Sequence, residues 1–310
     1  MTLQQLKYIV ALDTHRHFVK AAESCFVSQP TLTLQVKKLE EEIGLNIFDR
    51  SSQPLVPTPM GEQIIGKARY ILREAQGLKD MVNERRNELE GTFRLGIIPT
   101  LAPYLLPLFV KEFSDAHPLI HLEIREVQSE DLIESLKLGT LDLGILATPT
   151  SEPSIREYPI LYEPFLIYAH PDHPLLEMES IQATELEAQG LWLLDKGHCV
   201  RNQVLNICDK SELLCTPDRL SFQSGSIETL KNMIRNHSGY TLIPELAVNQ
   251  NLDTPFVKRF LEPQPAREIS LVTHMGFARD LLVNKLLKSI SQAVPKSMRK
   301  NKRYVTVDWK

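Results

Sequence analysis

The chain has 310 residues, and at about 150 residues per domain this length predicts two folded units or more. Hydrophobic residues make up 43% of it and charged residues 24%, which is ordinary for soluble globular proteins and excludes a disordered, collagen-like or disulfide-dense secreted chain. The net charge of −4 at pH 7 does not by itself indicate a nucleic-acid partner.

The apolar patterning predicts a cytoplasmic protein. Lys7, Asp13 and Arg16 interrupt the first apolar residues, so no signal peptide is expected. No uncharged apolar run of about 18 residues occurs, so no membrane span is expected either. In a reducing compartment the four cysteines are expected to be thiols rather than structural bridges. They are Cys25, Cys199, Cys208 and Cys215.

Short helices are predicted up to about residue 58, ending in a proline-punctuated loop or wing. Residues 21–30 indicate a helix, a tight turn and a second helix, since Ser28 is a good N-cap and Pro30 suits a first turn. Leu32, Val36 and Leu39 predict the buried stripe of that second helix. Small hydroxyls and an amide on its other face suit base edges in a major groove, although the spacing alone is equally typical of an ordinary helical hairpin. These outward residues are Thr31, Thr33, Gln35 and Lys37.

A long helix is predicted from Thr58 to about Leu89. Apolar or small residues recur there at alternating steps of four and three, and only Arg85 breaks the heptad. The seam consists of Ile64, Ala68, Ile71, Ala75, Leu78, Val82 and Leu89. Such a seam predicts a partner helix and hence a coiled-coil-like dimer.

From Gly91 onward, short apolar runs alternate with helical patterns, as is typical of βαβ units. The predicted strands are 93–98, 120–127, 141–146, 165–170, 191–194, 240–243 and 269–272. The predicted helices are 105–113, 132–138, 227–235 and one from about residue 278. Residues 296–310 hold six Lys/Arg and one Asp and are predicted to be a solvated, frayed terminus.

Five short motifs in the first 65 residues resemble the winged helix-turn-helix signature of LysR-type transcription regulators. They are Ser28-Gln29-Pro30-Thr31-Leu32-Thr33, Lys38-Leu39-Glu40, Gly44-Leu45, Phe48-Asp49-Arg50 and Thr58-Pro59-Met60-Gly61. The resemblance implies an α/β protein with an all-α amino-terminal part: a DNA-binding domain, a dimerising linker helix, and two Rossmann-like subdomains similar to a periplasmic binding protein. It also implies double-stranded operator DNA, a homodimer or homotetramer, and RNA polymerase as partners.

The domain bounds that follow are 1–58 for the winged helix-turn-helix and 59–90 for the linker helix. The regulatory domain is 91–296, with subdomain I at 91–161 plus 268–296 and subdomain II at 162–267, so that the chain crosses near residues 162 and 267. Residues 297–310 form the basic tail. For DNA contact the candidates are Ser28, Gln29, Pro30, Thr31, Thr33 and Gln35 for readout, with Lys37 and Arg50 mainly on phosphates.

Gly197-His198-Cys199-Val200-Arg201-Asn202-Gln203, followed by Cys208, is the second specific signal. Arg201, a protonated His198 and a helix beginning near Cys199 would stabilise a thiolate, the species that peroxide oxidises. On spacing alone the two cysteines are more typical of helix core residues, and a zinc site with His198 and Cys215 fits no common pattern. No metal or cofactor is expected.

This segment resembles the redox loop of the OxyR branch, the peroxide-sensing LysR regulators. The resemblance implies that Cys199 reacts with hydrogen peroxide, that Cys208 closes a disulfide, and that a thiol reductant such as glutaredoxin or thioredoxin reverses it. It also implies peroxide-binding roles for Thr100, Ser129 and Gln203. Thr100 and Ser129 each follow a predicted strand where open α/β sheets hold ligands, although the same positions are also typical of helix caps. Ser129 stands where the branch favours threonine.

Enzyme motifs such as a P-loop, Gly-x-Gly-x-x-Gly or Gly-x-Ser-x-Gly do not occur, so the protein is not expected to be an enzyme. A peroxidase that uses Cys199 is the best enzymatic alternative, but it would not need residues 1–60. The nearer alternative is a LysR regulator that binds a small metabolite between its subdomains, with the cysteines incidental.

Overall fold

The computed structural model describes residues 1–52, 54–85, 89–186, 189–208, 224–300 and 303–309. Backbone contacts divide the chain into two compact units. The first comprises residues 1–88 with 276–279, and the second comprises residues 89–275 with 280–310. In the parts of the chain described, no helix is both long and apolar enough to cross a bilayer.

The first unit is helical with a small two-stranded wing. Its elements are α1 (Leu3–His15), α2 (Phe18–Ser24), α3 (Gln29–Ile43), β1 (Phe48–Asp49), β2 (Val56–Pro57) and α4 (Pro59–Arg85). The hydroxyl of Ser28 accepts the backbone N–H of Thr31 and so caps α3, which ends at Gly44 in the left-handed conformation. Leu32, Val36 and Leu39 are at most 1% exposed, which confirms the predicted stripe.

The second unit is built on one curled sheet of eight strands flanked by helices. Its first half comprises β3 (Gly91–Ile97), α5 (Ala102–Ala116), β4 (Ile120–Glu126), α6 (Ser129–Leu138), β5 (Leu143–Thr148) and β6 (Ile155–Ala169). Its second half comprises α7 (Cys199–Ile207), α8 (Ile227–Asn236), β7 (Tyr240–Pro244), β8 (Val257–Arg259), β9 (Gln264–His274), α9 (Asp280–Ala293) and β10 (Tyr304–Thr306). The α/β class with an all-α amino-terminal part is confirmed.

The sheet order β4-β3-β5-β9-β6-β7 places the two long antiparallel strands, β6 and β9, at its middle. Strand β3 is parallel to β4 and β5, whereas β9 is antiparallel to β5 and β6. Strand β6 pairs with β9 up to Pro164 and with β7 from Phe165 onward. The chain therefore passes from one half of the sheet to the other between these two residues.

Three elements differ from the sequence-based expectation. Strand β6 begins ten residues earlier than predicted, at Ile155, because Pro159 and Pro164 mask its pattern. Residues 191–194 do not form a strand, and only Leu191 makes an isolated bridge, to Tyr240. The carboxy-terminal residues 303–309 are not frayed, since they include β10, which runs parallel to β9.

Candidate functional site

Cys199 is the first residue of α7 and is only 3% exposed. The loop before it approaches α6 closely: Gly197 has φ +92, and a Cβ built there would lie 2.4 Å from Oε1 of Gln128. Glycine is therefore required on both conformational and steric grounds. The tight loop places the Cys199 thiol against the amino-terminal end of α6.

Two buried hydroxyls surround the thiol, as the sequence suggested. Ser129 begins α6 after β4, and Thr100 follows β3; each is 2% exposed and hydrogen-bonded to Cys199. Because β3 and β4 are parallel, their carboxyl ends lie at the same edge of the sheet. The two predicted residues are thus brought together with the cysteine.

A buried cation, Arg267 on β9, adjoins this cluster, and no pattern in the sequence singles it out. Its guanidinium is fully buried and donates from Nη1 to Oγ1 of Thr100 and from Nη2 to the Thr100 carbonyl, both at 3.2 Å. Burial raises the pKa of the Cys199 thiol, while the charge of Arg267 and hydrogen bonds from Ser129, the Val200 backbone and Thr100 lower it. Cys199 is therefore a thiol in this buried site, and the groups that would stabilise its thiolate already surround it.

Glu163, also fully buried, orients Arg267. Its Oε2 accepts a hydrogen bond from Arg267 Nε at 2.8 Å, and its Oε1 accepts the backbone N–H of Leu246 at 2.9 Å. Burial raises the pKa of Glu163, and the charge of Arg267 opposes that rise. The pair joins β6 to β9 where the sheet changes halves. No spacing in the sequence links residues that are so far apart along the chain.

Two of the predicted thiolate-stabilising side chains have other surroundings. Arg201 donates from Nη1 to the carbonyl of Leu194 at 2.7 Å, and the guanidinium that acts on the thiol is Arg267 instead. Burial lowers the pKa of His198, and the charge of Asp195 opposes this only in part. The imidazole is therefore neutral at pH 7, and the charged form considered from the sequence is disfavoured.

Gln203 and Cys208 lie further along α7. Gln203 is fully buried; its Nε2 donates to the carbonyl of Val307 at 3.1 Å, whereas Oε1 accepts no hydrogen bond from the described residues. Cys208 caps α7 and is 4% exposed. Both Cys199 and Cys208 are thiols. Cys215 falls outside the described residues.

The two cysteines stand at opposite ends of an intact helix, as the sequence interpretation assumed. Nine residues at about 1.5 Å rise separate their Cα atoms by about 13 to 14 Å, whereas a disulfide tolerates about 7 Å at most. A bond between them requires α7 to unwind. Across the described part of the chain, no cluster of three or more His, Cys, Asp and Glu side chains is arranged to hold a metal ion.

In the first unit, most of the predicted DNA-contact residues are accessible. Ser28, Gln29, Pro30, Thr31 and Lys37 are exposed, and Thr33 and Gln35 are half-buried. Gln35 already accepts a hydrogen bond from Gln5 at 3.3 Å. Arg50 is exposed, but its guanidinium bonds Oε2 of Glu40 at 2.7 Å, so it would present only its remaining N–H groups to a phosphate.

Comparison with known proteins agrees with this architecture. Residues 3–62 match the family model "Bacterial regulatory helix-turn-helix protein, lysR family", and residues 86–295 match "LysR substrate binding domain". The chain is 37% identical over 278 residues to the "Hydrogen peroxide-inducible genes activator" of Haemophilus influenzae, covering 89% of this chain and 91% of the relative. It is 36% identical to the "DNA-binding transcriptional dual regulator OxyR" of Escherichia coli K12, with 89% and 90% covered.

Solved structures agree as well. A full-length mutant of Pseudomonas aeruginosa OxyR matches with a TM-score of 0.81 and 35% identity, over 95% of this chain and 99% of that one. An H2O2-bound mutant of Corynebacterium glutamicum OxyR matches with a TM-score of 0.61 and 27% identity, over 94% and 92%.

A winged helix-turn-helix followed by a two-part α/β domain defines a DNA-binding transcription regulator. The chain belongs to the LysR family of bacterial regulators, in its OxyR branch.

Proposed function

We propose that this protein senses hydrogen peroxide by oxidation of Cys199, forms a Cys199–Cys208 disulfide, and thereby changes its binding to promoter DNA. The observation that carries the proposal is the buried cluster around Cys199, in which two hydroxyls and one guanidinium converge on a single thiol. Relatives at 36–37% identity are named for hydrogen peroxide or OxyR, which favours the same stimulus.

The chemistry uses two thiols and one peroxide. The Cys199 thiolate attacks one peroxide oxygen, the O–O bond breaks, and the departing hydroxide takes up a proton and leaves as water. Cys199 is then a sulfenic acid. Hydrogen bonds from Thr100 and Ser129 and the charge of Arg267 stabilise the attacking anion, and the buried Oε1 of Gln203 is an available acceptor for a peroxide proton.

The second step consumes the other thiol. The sulfur of Cys208 attacks the sulfenic sulfur, the S–S bond forms, the S–O bond breaks, and a second water leaves. Because α7 must unwind, Val204 and Ile207, which are at most 9% exposed in the reduced state, have to leave their contacts. A subdomain that repacks in this way alters any dimer interface it contributes to.

The output is a changed arrangement of DNA-binding units in a homodimer or homotetramer. Ile71 and Leu78, on the predicted seam of α4, are 38% and 69% exposed in the single chain, which supports dimerisation through this helix. The residues proposed for readout stay as predicted, with Ser28, Gln29, Pro30, Thr31, Thr33 and Gln35 toward base edges and Lys37 and Arg50 toward phosphates. RNA polymerase, a thiol reductant and a cytoplasmic location complete the proposal.

One titration separates this proposal from a metabolite-responsive regulator. Operator binding of the reduced full-length protein is measured while hydrogen peroxide, and separately a panel of small metabolites, is added. We expect the footprint to change with peroxide at low molar excess and to return on addition of a dithiol. A footprint that responds to a metabolite and not to peroxide would overturn the proposal.

A further inference from the structure

The carboxy-terminal arm, defined as residues 303–309, is folded onto the regulatory unit. Strand β10 runs along β9, and the N–H of Val307 extends this pairing by donating to the carbonyl of Ala266 at 2.9 Å. Trp309 is only 4% exposed, and its indole N–H donates to the carbonyl of Pro149 at 3.1 Å. The arm is thus anchored to β9 at one end and to the residue that follows β5 at the other.

Three successive carbonyls of the arm are held by three side chains of α7. Nε2 of Gln203 donates to the carbonyl of residue 307 at 3.1 Å. Nδ2 of Asn206 donates to that of Asp308 at 2.9 Å, and Nδ2 of Asn202 donates to that of Trp309 at 3.0 Å. Asparagine is a poor helix former, so two of them in a nine-residue helix point to a role outside the helix itself.

We infer that the carboxy-terminal arm is a positioning element of the redox reaction: through Asn202, Gln203 and Asn206 it holds α7 in the reduced conformation and opposes closure of the Cys199–Cys208 disulfide. This inference rests on the proposed function. All three amide donors lie between the two cysteines, in the stretch that must unwind before the sulfur atoms meet. The hydrogen bonds to the arm are therefore made in the reduced state and broken as the disulfide forms.

The arm acts on one step of the reaction and not on the other. Attack of Cys199 on peroxide takes place with α7 intact, within the cluster formed by Thr100, Ser129 and Arg267. Attack of Cys208 on the sulfenic acid requires the three hydrogen bonds between α7 and the arm to break. Loosening the arm should therefore speed the closure step and favour the disulfide at equilibrium, while the rate of sulfenic acid formation stays nearly constant.

The test uses the full-length chain with Asn202→Ala and Asn206→Ala combined, which removes two of the three donors and leaves Gln203 in place. Alanine is a better helix former than asparagine, so the substitutions by themselves favour an intact α7. Faster closure therefore cannot arise from a weakened helix. Asn236→Ala is the matched control, because that exposed amide donates to the carbonyl of Asn232 within α8 and makes none of the three hydrogen bonds to the arm.

Rapid quenching with a thiol-alkylating reagent, followed by mass spectrometry, gives the rates of sulfenic acid formation and of disulfide closure. Equilibration in glutathione buffers gives the fraction oxidised. We expect disulfide closure to be about tenfold faster in the double variant than in the wild type, as two lost hydrogen bonds imply. For the same reason the disulfide should persist at an about tenfold higher ratio of reduced to oxidised glutathione. Sulfenic acid formation should stay within about twofold, and Asn236→Ala should match the wild type.

Closure at the wild-type rate, or slower, would overturn the inference while leaving the proposed function intact. A wild-type protein that forms no Cys199–Cys208 disulfide would overturn both. A chain ending at residue 302 is a second variant that removes the whole arm. Its disulfide closure should also be faster than in the wild type, and unchanged closure in it would count against the arm.

Discussion

The buried Glu163–Arg267 pair predicts an unusual mutant, because Glu163→Gln should make Cys199 more reactive. The carboxylate neutralises the guanidinium that faces the thiol cluster. Replacing it by a neutral amide keeps a hydrogen-bond acceptor but leaves Arg267 with an uncompensated charge, which a Cys199 thiolate then neutralises. The pKa of Cys199 should fall, and the thiolate fraction near neutral pH should rise.

The magnitude follows from Coulomb's law. The Arg267 side chain lies between the Glu163 carboxylate and Thr100. For two unit charges about 9 Å apart at an effective dielectric of about 20, loss of one charge is worth about 2 kcal/mol. This corresponds to about 20- to 30-fold more thiolate while the thiol is the major species, and so to about 20- to 30-fold faster thiolate chemistry at pH 7. Breaking a buried ion pair should also cost about 3 kcal/mol of folding stability, to be checked by urea denaturation.

The assay is the rate of iodoacetamide alkylation against pH, in a background that keeps Cys199 alone. The other three cysteines are replaced by alanine: Cys25, Cys208 and Cys215. Glu268→Gln is the matched control, because Glu268 directly follows Arg267 on β9 but its carboxylate accepts a hydrogen bond from the hydroxyl of Thr148. An alkylation profile that is unchanged, or shifted to higher pH, in Glu163→Gln would refute the reasoning about the pair.

Further predictions concern DNA readout, the second cysteine, pH and assembly. Thr31→Ala should lose about 1 to 3 kcal/mol of discrimination between operator and scrambled DNA, whereas Lys37→Ala should weaken both alike; fluorescence anisotropy on the two DNAs checks this. Cys208→Ser should still consume peroxide and accumulate a sulfenic acid at Cys199, which dimedone labelling detects, and should switch poorly. Because burial raises the pKa of Cys199, the folded state keeps the thiol proton to higher pH than the unfolded state. The stability that this thiol contributes is complete below about pH 8.5 and is lost as the pH rises further. Above that pH, urea midpoints should therefore fall less steeply in Cys199→Ala than in the wild type. Light scattering at micromolar concentration should give a dimer or tetramer, and a monomer would contradict the role proposed for α4.

Much of this architecture could be predicted from the sequence where the signal is local. The spacing of Leu32, Val36 and Leu39 predicts a buried helix face, and all three side chains are buried in the structure. Thr100 and Ser129 were found because polar residues directly after parallel strands come together at one sheet edge. In each case the information lies within about ten residues of chain.

What could not be predicted depends on contacts between distant parts of the chain. Arg267 lies in the middle of a strand, and only its pairing with Glu163 and Thr100 distinguishes it from an ordinary strand arginine. Arg201, by contrast, is only two residues from Cys199 in sequence, yet its guanidinium donates to the Leu194 carbonyl. Residues two apart on a helix do not face each other, so proximity along the chain does not bring Arg201 to the thiol.

The carboxy-terminal arm was mispredicted for a related reason. The six lysines and arginines of residues 296–310 indicate a solvated terminus, because charge density usually marks exposed chain. The residues that anchor it use other means: backbone pairing of β10 with β9 and burial of Trp309. Side-chain composition does not report such pairing when the strand is only three residues long.

The most direct test of the central claim follows the thiols and the DNA in the same samples. Wild type and Cys199→Ser are treated with hydrogen peroxide, and each sample is divided between thiol mass spectrometry and DNA footprinting. We expect a Cys199–Cys208 disulfide with a changed footprint in the wild type, and an unchanged footprint at every peroxide dose in Cys199→Ser. A footprint that still changes with peroxide in Cys199→Ser would contradict the sensing mechanism.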